Sequence, residues 1–103
     1  MKINEYDLRQ LNLMLEKINA YKSGKLQIHM LIDNLDGLLS VLTEIDEEWK
    51  GYFRGYWWDI EQIYAFALFE EKEFFSDNDK KIIINAIDNL TQMIEIKLNS
   101  NNV

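Results

Sequence analysis

Eleven of the chain's thirteen aromatic residues lie between Asp46 and Phe75, and this concentration limits the available folds more than any other feature. Large rings dominate the apolar area a chain can bury, so the core must form around this stretch. Read at ~100° per residue, Trp49, Phe53, Tyr56, Ile60, Ile63 and Ala67 fall on one stripe, the signature of a helix with one face toward a core. Trp58, Phe66 and Phe69 fall off that stripe. Trp57 and Trp58 are adjacent, so their directions differ by ~100° and they cannot both centre on the same face. Acids crowd both ends: Glu44, Asp46, Glu47 and Glu48 before, and Glu70, Glu71, Glu73 and Asp77 after. Asp46 reads as the N-cap, with Glu47 and Glu48 in the first turn, where the helix dipole favours negative charge. Gly51 and Gly55 predict either one long helix to about Phe69 or two collinear pieces broken near the glycines, a spacing that otherwise speaks only for close packing.

Three further periodic segments surround this one. Asn4 followed by Asp7 reads as a helix start, and Leu8, Leu11, Leu15 and Ile18 recur at helical spacing until Ser23-Gly24, where Gly24 supplies a left-handed C′ residue. From about Leu26 to Leu42, Ile28, Leu31, Ile32, Leu35, Leu38, Leu39 and Leu42 share a broad face. Gly37 within it suggests a close approach to a neighbouring helix, at a cost of about 1 kcal/mol relative to alanine. Lys25–Ile28 alternates enough for a short strand, but a lone strand has nothing to pair with. Ser76 followed by Asp79 is a near capping box, and Ile83, Ile87, Leu90 and Ile94 form the last stripe, before a polar tail over 99–103 that reads as frayed. Four amphipathic helices on short connections predict an all-α antiparallel bundle, a single domain over 1–103.

With no proline and only four glycines, breakers are scarce, which favours long helices. The absence of cysteine excludes a disulfide framework and any thiolate chemistry. The first residues lack a signal-peptide core and no apolar run reaches the ~18–20 residues of a membrane span, so the expectation is a cytoplasmic protein with no membrane role. The net charge of −7 argues against nucleic acid as a direct partner. From Asp33 to Asp79 thirteen acids face three bases, and the remainder carries five acids against eight bases. Such asymmetry suits capture of a basic partner, although charged helices also solvate their outer faces in this way.

Residues that could carry chemistry give little. His29, the only histidine, would need an oriented partner such as Asp33 for acid–base work, and an ordinary surface or interface histidine is commoner. No Glu-x-x-His pair suggests a di-metal bundle. Asp77-Asn78-Asp79 opens like a calcium loop, but Lys81 takes the next ligand position and no glycine follows. Asn89-Leu90-Thr91 matches a glycosylation sequon in the middle of a helix, and reads as chance. No nucleophile elbow or phosphate-cradling loop is present, so no catalytic residues, metal or cofactor are expected.

The run Ile32-Asp33-Asn34-Leu35-Asp36-Gly37-Leu38-Leu39, followed by Trp49, Phe53 and Trp57-Trp58-Asp59-Ile60-Glu61-Gln62-Ile63-Tyr64-Ala65, resembles small helical immunity proteins of bacterial polymorphic toxin systems, those of contact-dependent growth inhibition in particular. The resemblance spans about residues 8–96 and lies in the pattern of apolar and aromatic positions. It implies a cytoplasmic toxin inhibitor that binds the C-terminal domain of its cognate toxin, often a nuclease with a basic cleft, as a 1:1 complex of monomers. An acidic surface fits such a cleft. On that reading the partner-binding candidates are Asp46, Glu47, Glu48, Asp59, Glu61, Glu70, Glu71, Glu73 and Asp77, with Trp58 or a neighbouring tyrosine as aromatic anchor. The alternative is a helical adaptor or self-associating bundle whose exposed aromatics pair with another copy.

Overall fold

The computed structural model describes residues 2–100, which form four α-helices: α1 (Glu5–Lys22), α2 (Ile28–Ser40), α3 (Glu47–Phe69) and α4 (Asp77–Ser100). No strand occurs among the described residues. The helices pack in a ring in chain order, α1 against α2 and α4, and α3 against α2 and α4, with no close backbone approach across either diagonal. Side-chain contacts fix the directions. Asn4 at the start of α1 donates a hydrogen bond to Thr43 just past α2, His29 at the start of α2 stacks on Tyr64 late in α3, and Lys97 late in α4 pairs with Asp46 just before α3. Each neighbour therefore runs antiparallel to the next, as connections of five to seven residues require.

The caps are those the sequence predicts. Asn4 Oδ1 accepts from the Asp7 N–H, Asp46 Oδ2 from the Trp49 N–H and Ser76 Oγ from the Asp79 N–H, each taking one of the donors a helix start leaves free. Helix α1 closes with Gly24 at φ +79°, while the Lys25 N–H donates back to the Ala20 carbonyl, a Schellman turn. Helix α3 closes in the same manner: the Lys72 N–H donates to the Ala67 carbonyl, and the left-handed position at φ 55° is held by Glu71.

The inner stripes interlock in one core. Leu11, Met14 and Ile18 of α1, Leu31, Leu35 and Leu39 of α2, Phe53 and Ile60 of α3, and Ile83, Ile87, Leu90 and Ile94 of α4 are almost wholly buried. Trp49, Tyr56 and Ile63 pack against them from the same face of α3 as Phe53. Burial of these side chains at roughly 25 cal/mol per Å² is the main force holding the bundle together.

Several expectations are corrected. Helix α3 takes the first of the two expected forms, one continuous helix to Phe69, but Gly51 and Gly55 do not pack closely, since a Cβ built on either meets nothing within 4 Å. The same holds for Gly37, which faces open space rather than a neighbouring helix. Lys25–Ile28 forms no strand, as its lack of a pairing partner implies: the chain turns there, and α2 begins at Ile28. Asn99 and Ser100 continue α4, and the rest of the expected frayed tail lies outside the described residues.

One buried group has a role the sequence hides. Asp7, in the first turn of α1, is fully buried, and its carboxylate accepts from the Thr43 N–H (2.8 Å), the Thr43 hydroxyl (3.0 Å) and the Glu44 N–H (2.8 Å). It holds the α2–α3 connection against the start of α1, and so sets where α3 begins.

Candidate partner-binding surface

The two tryptophans of the Trp57-Trp58 pair diverge. Trp57 leans on α2, its indole N–H donating to the Ile32 carbonyl at 2.9 Å, and Trp58 points outward, 51% exposed. Along the same side of α3, Phe66 is 58% and Phe69 85% exposed, and in the α3–α4 connection Phe74 is 81% exposed. These rings face water because they sit at positions the inner stripe does not use: Trp58, Gln62, Ala65, Phe66 and Phe69 follow one another at helical spacing, roughly opposite the Phe53–Ile60 line. Large apolar groups grouped in this way mark an interaction surface more often than isolated ones do. Trp58, Phe66 and Phe69 line a groove of about 510 Å³ between α3 and α4, with Glu61 contributed by α3 and Asp79 by α4.

The structure does not bring the ten sequence-derived candidates together. Asp46, Glu47 and Glu48 sit at the start of α3, while Glu70, Glu71, Glu73 and Asp77 sit past its end, about 34 Å away along 23 residues at 1.5 Å each. The acidity is therefore divided between opposite ends of a bundle measuring 45 × 26 × 20 Å. The two ends also differ in how their charge is met. Asp46 caps α3 and pairs with Lys97 at 3.1 Å, and Glu47 lies 3.5 Å from Lys50, while Glu48 has no ion pair among the described residues. The Trp49 N–H, and after it the Lys97 ammonium, hold the Asp46 carboxyl below the ordinary carboxylate range. At the other end Glu70 pairs with Lys72 at 3.1 Å, but Glu71, Glu73 and Asp77, together with Asp59 and Glu61 on α3, have no ion pair among the described residues. From Trp58 to Lys81 the chain carries seven carboxylates and three lysines, of which Lys72 alone pairs with one of them. The aromatic surface and the uncompensated acids thus coincide over the second half of α3 and the turn after it.

Sequence reasoning missed three members of this surface. Phe66 and Phe69 were visible only as residues off the inner stripe, and Asp79 only as a helix-start acid. Their grouping depends on α4 crossing beside α3. No cluster of side chains able to hold a metal ion occurs among the described residues, and no helix there is long and apolar enough to cross a membrane. His29 stacks on Tyr64, with ring centroids 6.2 Å apart, and makes no ion pair with Asp33.

The chain matches no family of known proteins, no curated protein and no solved structure.

Proposed function

We propose that this protein is a cytoplasmic immunity protein that binds and neutralises a cognate toxin domain, of nuclease type with a basic cleft, and that it does so through the second half of α3 and the α3–α4 turn. The carrying observation is the coincidence of exposed Trp58, Phe66 and Phe69 with the unpaired carboxylates of Asp59, Glu61, Glu71, Glu73 and Asp77. Aromatic anchors supply most of the affinity in protein interfaces, and surrounding charge supplies orientation and fast capture. The resemblance to contact-dependent immunity proteins points the same way. Asp46, Glu47 and Glu48 are too far off to share one cleft with this surface and act, on this reading, in the stability of α3 or at the rim of a larger contact.

The test begins with the reading frame immediately upstream. Its C-terminal domain, expressed alone, should arrest growth, and co-expression of this chain should restore growth and yield a 1:1 complex. Charge reversal at Asp59, Glu71 and Glu73 should slow association and flatten its response to salt far more than reversal at Glu47 and Glu48. Unchanged rates in the first variant would sink the placement. Failure of rescue, together with a tight dimer burying the Trp58 side of α3 in sedimentation, would favour the self-associating bundle. Against that dimer stands like charge: in either orientation, acid-rich ends of two α3 helices would meet.

A further inference from the structure

We infer that the α3–α4 groove is a receptor for a single arginine side chain of a partner protein, an assignment that rests on the proposed function and gives its contact a specific chemistry. Three kinds of residue line it. Trp58, Phe66 and Phe69 offer ring faces, Glu61 and Asp79 offer carboxylates from two different helices, and Gln62 adds a neutral polar group. Neither Glu61 nor Asp79 spends its carboxylate on a hydrogen bond or an ion pair within the described chain. Aromatic faces attract cations through their quadrupole, and carboxylates nearby add charge-assisted hydrogen bonds.

The molecule itself shows that one of these rings takes a cation. The Lys72 ammonium lies 5.7 Å from the Phe66 ring centroid while it pairs with Glu70 at 3.1 Å. A flat guanidinium suits the groove better than an ammonium does. It stacks on a ring and directs several donors outward in its own plane, which suits a site lined by both rings and carboxylates; it also loses less hydration on entry. A neutral apolar occupant would leave Glu61 and Asp79 desolvated with no partner, which is costly.

The probe is the tripeptide acetyl-Gly-Arg-Gly-amide, titrated into the full-length isotope-labelled protein, with lysine and citrulline tripeptides alongside. The Trp58 indole N–H signal should move saturably with the arginine peptide, in a millimolar range. The lysine peptide should bind about threefold or more weakly, and the uncharged citrulline peptide about tenfold or more weakly, as stacking and charge-assisted bonding require. The double variant Glu61→Gln, Asp79→Asn keeps the shape of both side chains and should lose about tenfold in arginine affinity with an unchanged helical spectrum. Equal shifts from the citrulline peptide, or full affinity in the double variant, would overturn the assignment. A concentration-dependent dimer lost in Arg54→Gln would also overturn it, by showing that a second copy supplies the cation. The titration needs no toxin, so it stands or fails separately from the growth-rescue experiment. Rescue that persists unchanged in the double variant removes the arginine site and leaves the proposed function in place.

Discussion

Replacing Asp7 with alanine should cost more stability than any other single polar substitution in this molecule. The carboxylate is completely buried and accepts three hydrogen bonds, at 2.8, 2.8 and 3.0 Å, from two backbone N–H groups and one hydroxyl of the α2–α3 connection. Hydrogen bonds to a charged group contribute ~1.5–3 kcal/mol each when the partner is left stranded. Thr43 and Glu44 are themselves exposed, so water recovers part of that loss and about 1 kcal/mol per bond is the better figure. The carboxylate also sits in the first turn of α1, where the helix dipole adds some tenths. The sum is ~2–4 kcal/mol, a large share of the ~5–15 kcal/mol that keeps a domain folded. In a domain of this size it lowers the melting temperature by about 10–20 °C.

Urea unfolding followed by helical circular dichroism and by tryptophan emission measures the loss. Asp7→Asn should recover little, because its amide turns one donor toward another. Thr43→Val, which removes only the hydroxyl, should cost ~0.5–1.5 kcal/mol. The Asp7→Ala, Thr43→Val pair should be non-additive, since both lose one shared bond. An Asp7→Ala protein within ~0.5 kcal/mol of the parent would refute the reasoning, for that is the range of a surface change with no structural role.

Two further outcomes follow from the caps. Glu71 holds the left-handed closing position of α3 at φ 55°, a conformation that costs a side-chain-bearing residue roughly 1 kcal/mol, so Glu71→Gly should stabilise the protein by about 0.5–1 kcal/mol in urea titration. A loss of stability there would mean that the Glu71 carboxylate has a structural partner. Asp46→Asn keeps a capping acceptor but removes the charge paired with Lys97. Because folding lowers the Asp46 pKa, its charge stabilises the fold above the unfolded value of about 3.9, and that contribution disappears as pH falls through the folded value. The stability gap between parent and variant should therefore be present at neutral pH and close in acid below about pH 3.9. A gap of equal size at both extremes would show that the difference comes from capping geometry.

The sequence makes the bundle legible because it carries consistent local signals. Asn4, Asp46 and Ser76 each stand before an apolar period of helical spacing, and each caps the helix expected of it. The glycines mislead for a physical reason. Gly51, Gly55 and Gly37 carry no information about which face they occupy until the neighbours are placed, and all three face open space. Asp7 misleads differently: an acid in a first turn is already explained by the dipole, so nothing in one dimension signals a reach of 36 residues to Thr43. Glu71 could not be read as a left-handed residue either, because the turn is set by where α4 must begin rather than by a preference of glutamate.

The aromatic excess also becomes intelligible only in three dimensions. A four-helix ring gives each helix two neighbours, so α3 needs apolar groups toward α2 and α4 and none on its outer side. The inner line of Phe53 and Ile60 and the α2-facing Trp57 meet that need. Trp58, Phe66 and Phe69 exceed it, and of the acids around them only Glu70 has an internal cation, while at the other end Asp46 and Glu47 have theirs and Glu48 does not. Stability alone would favour the reverse, with polar residues outside α3 and carboxylates paired wherever a lysine can reach. Exposed apolar groups occur elsewhere as well, at Tyr52, Ile84 and Ile96, but four large rings, Trp58, Phe66, Phe69 and Phe74, stand in one half of one helix and the turn beyond it, the arrangement that the proposed cationic partner would use.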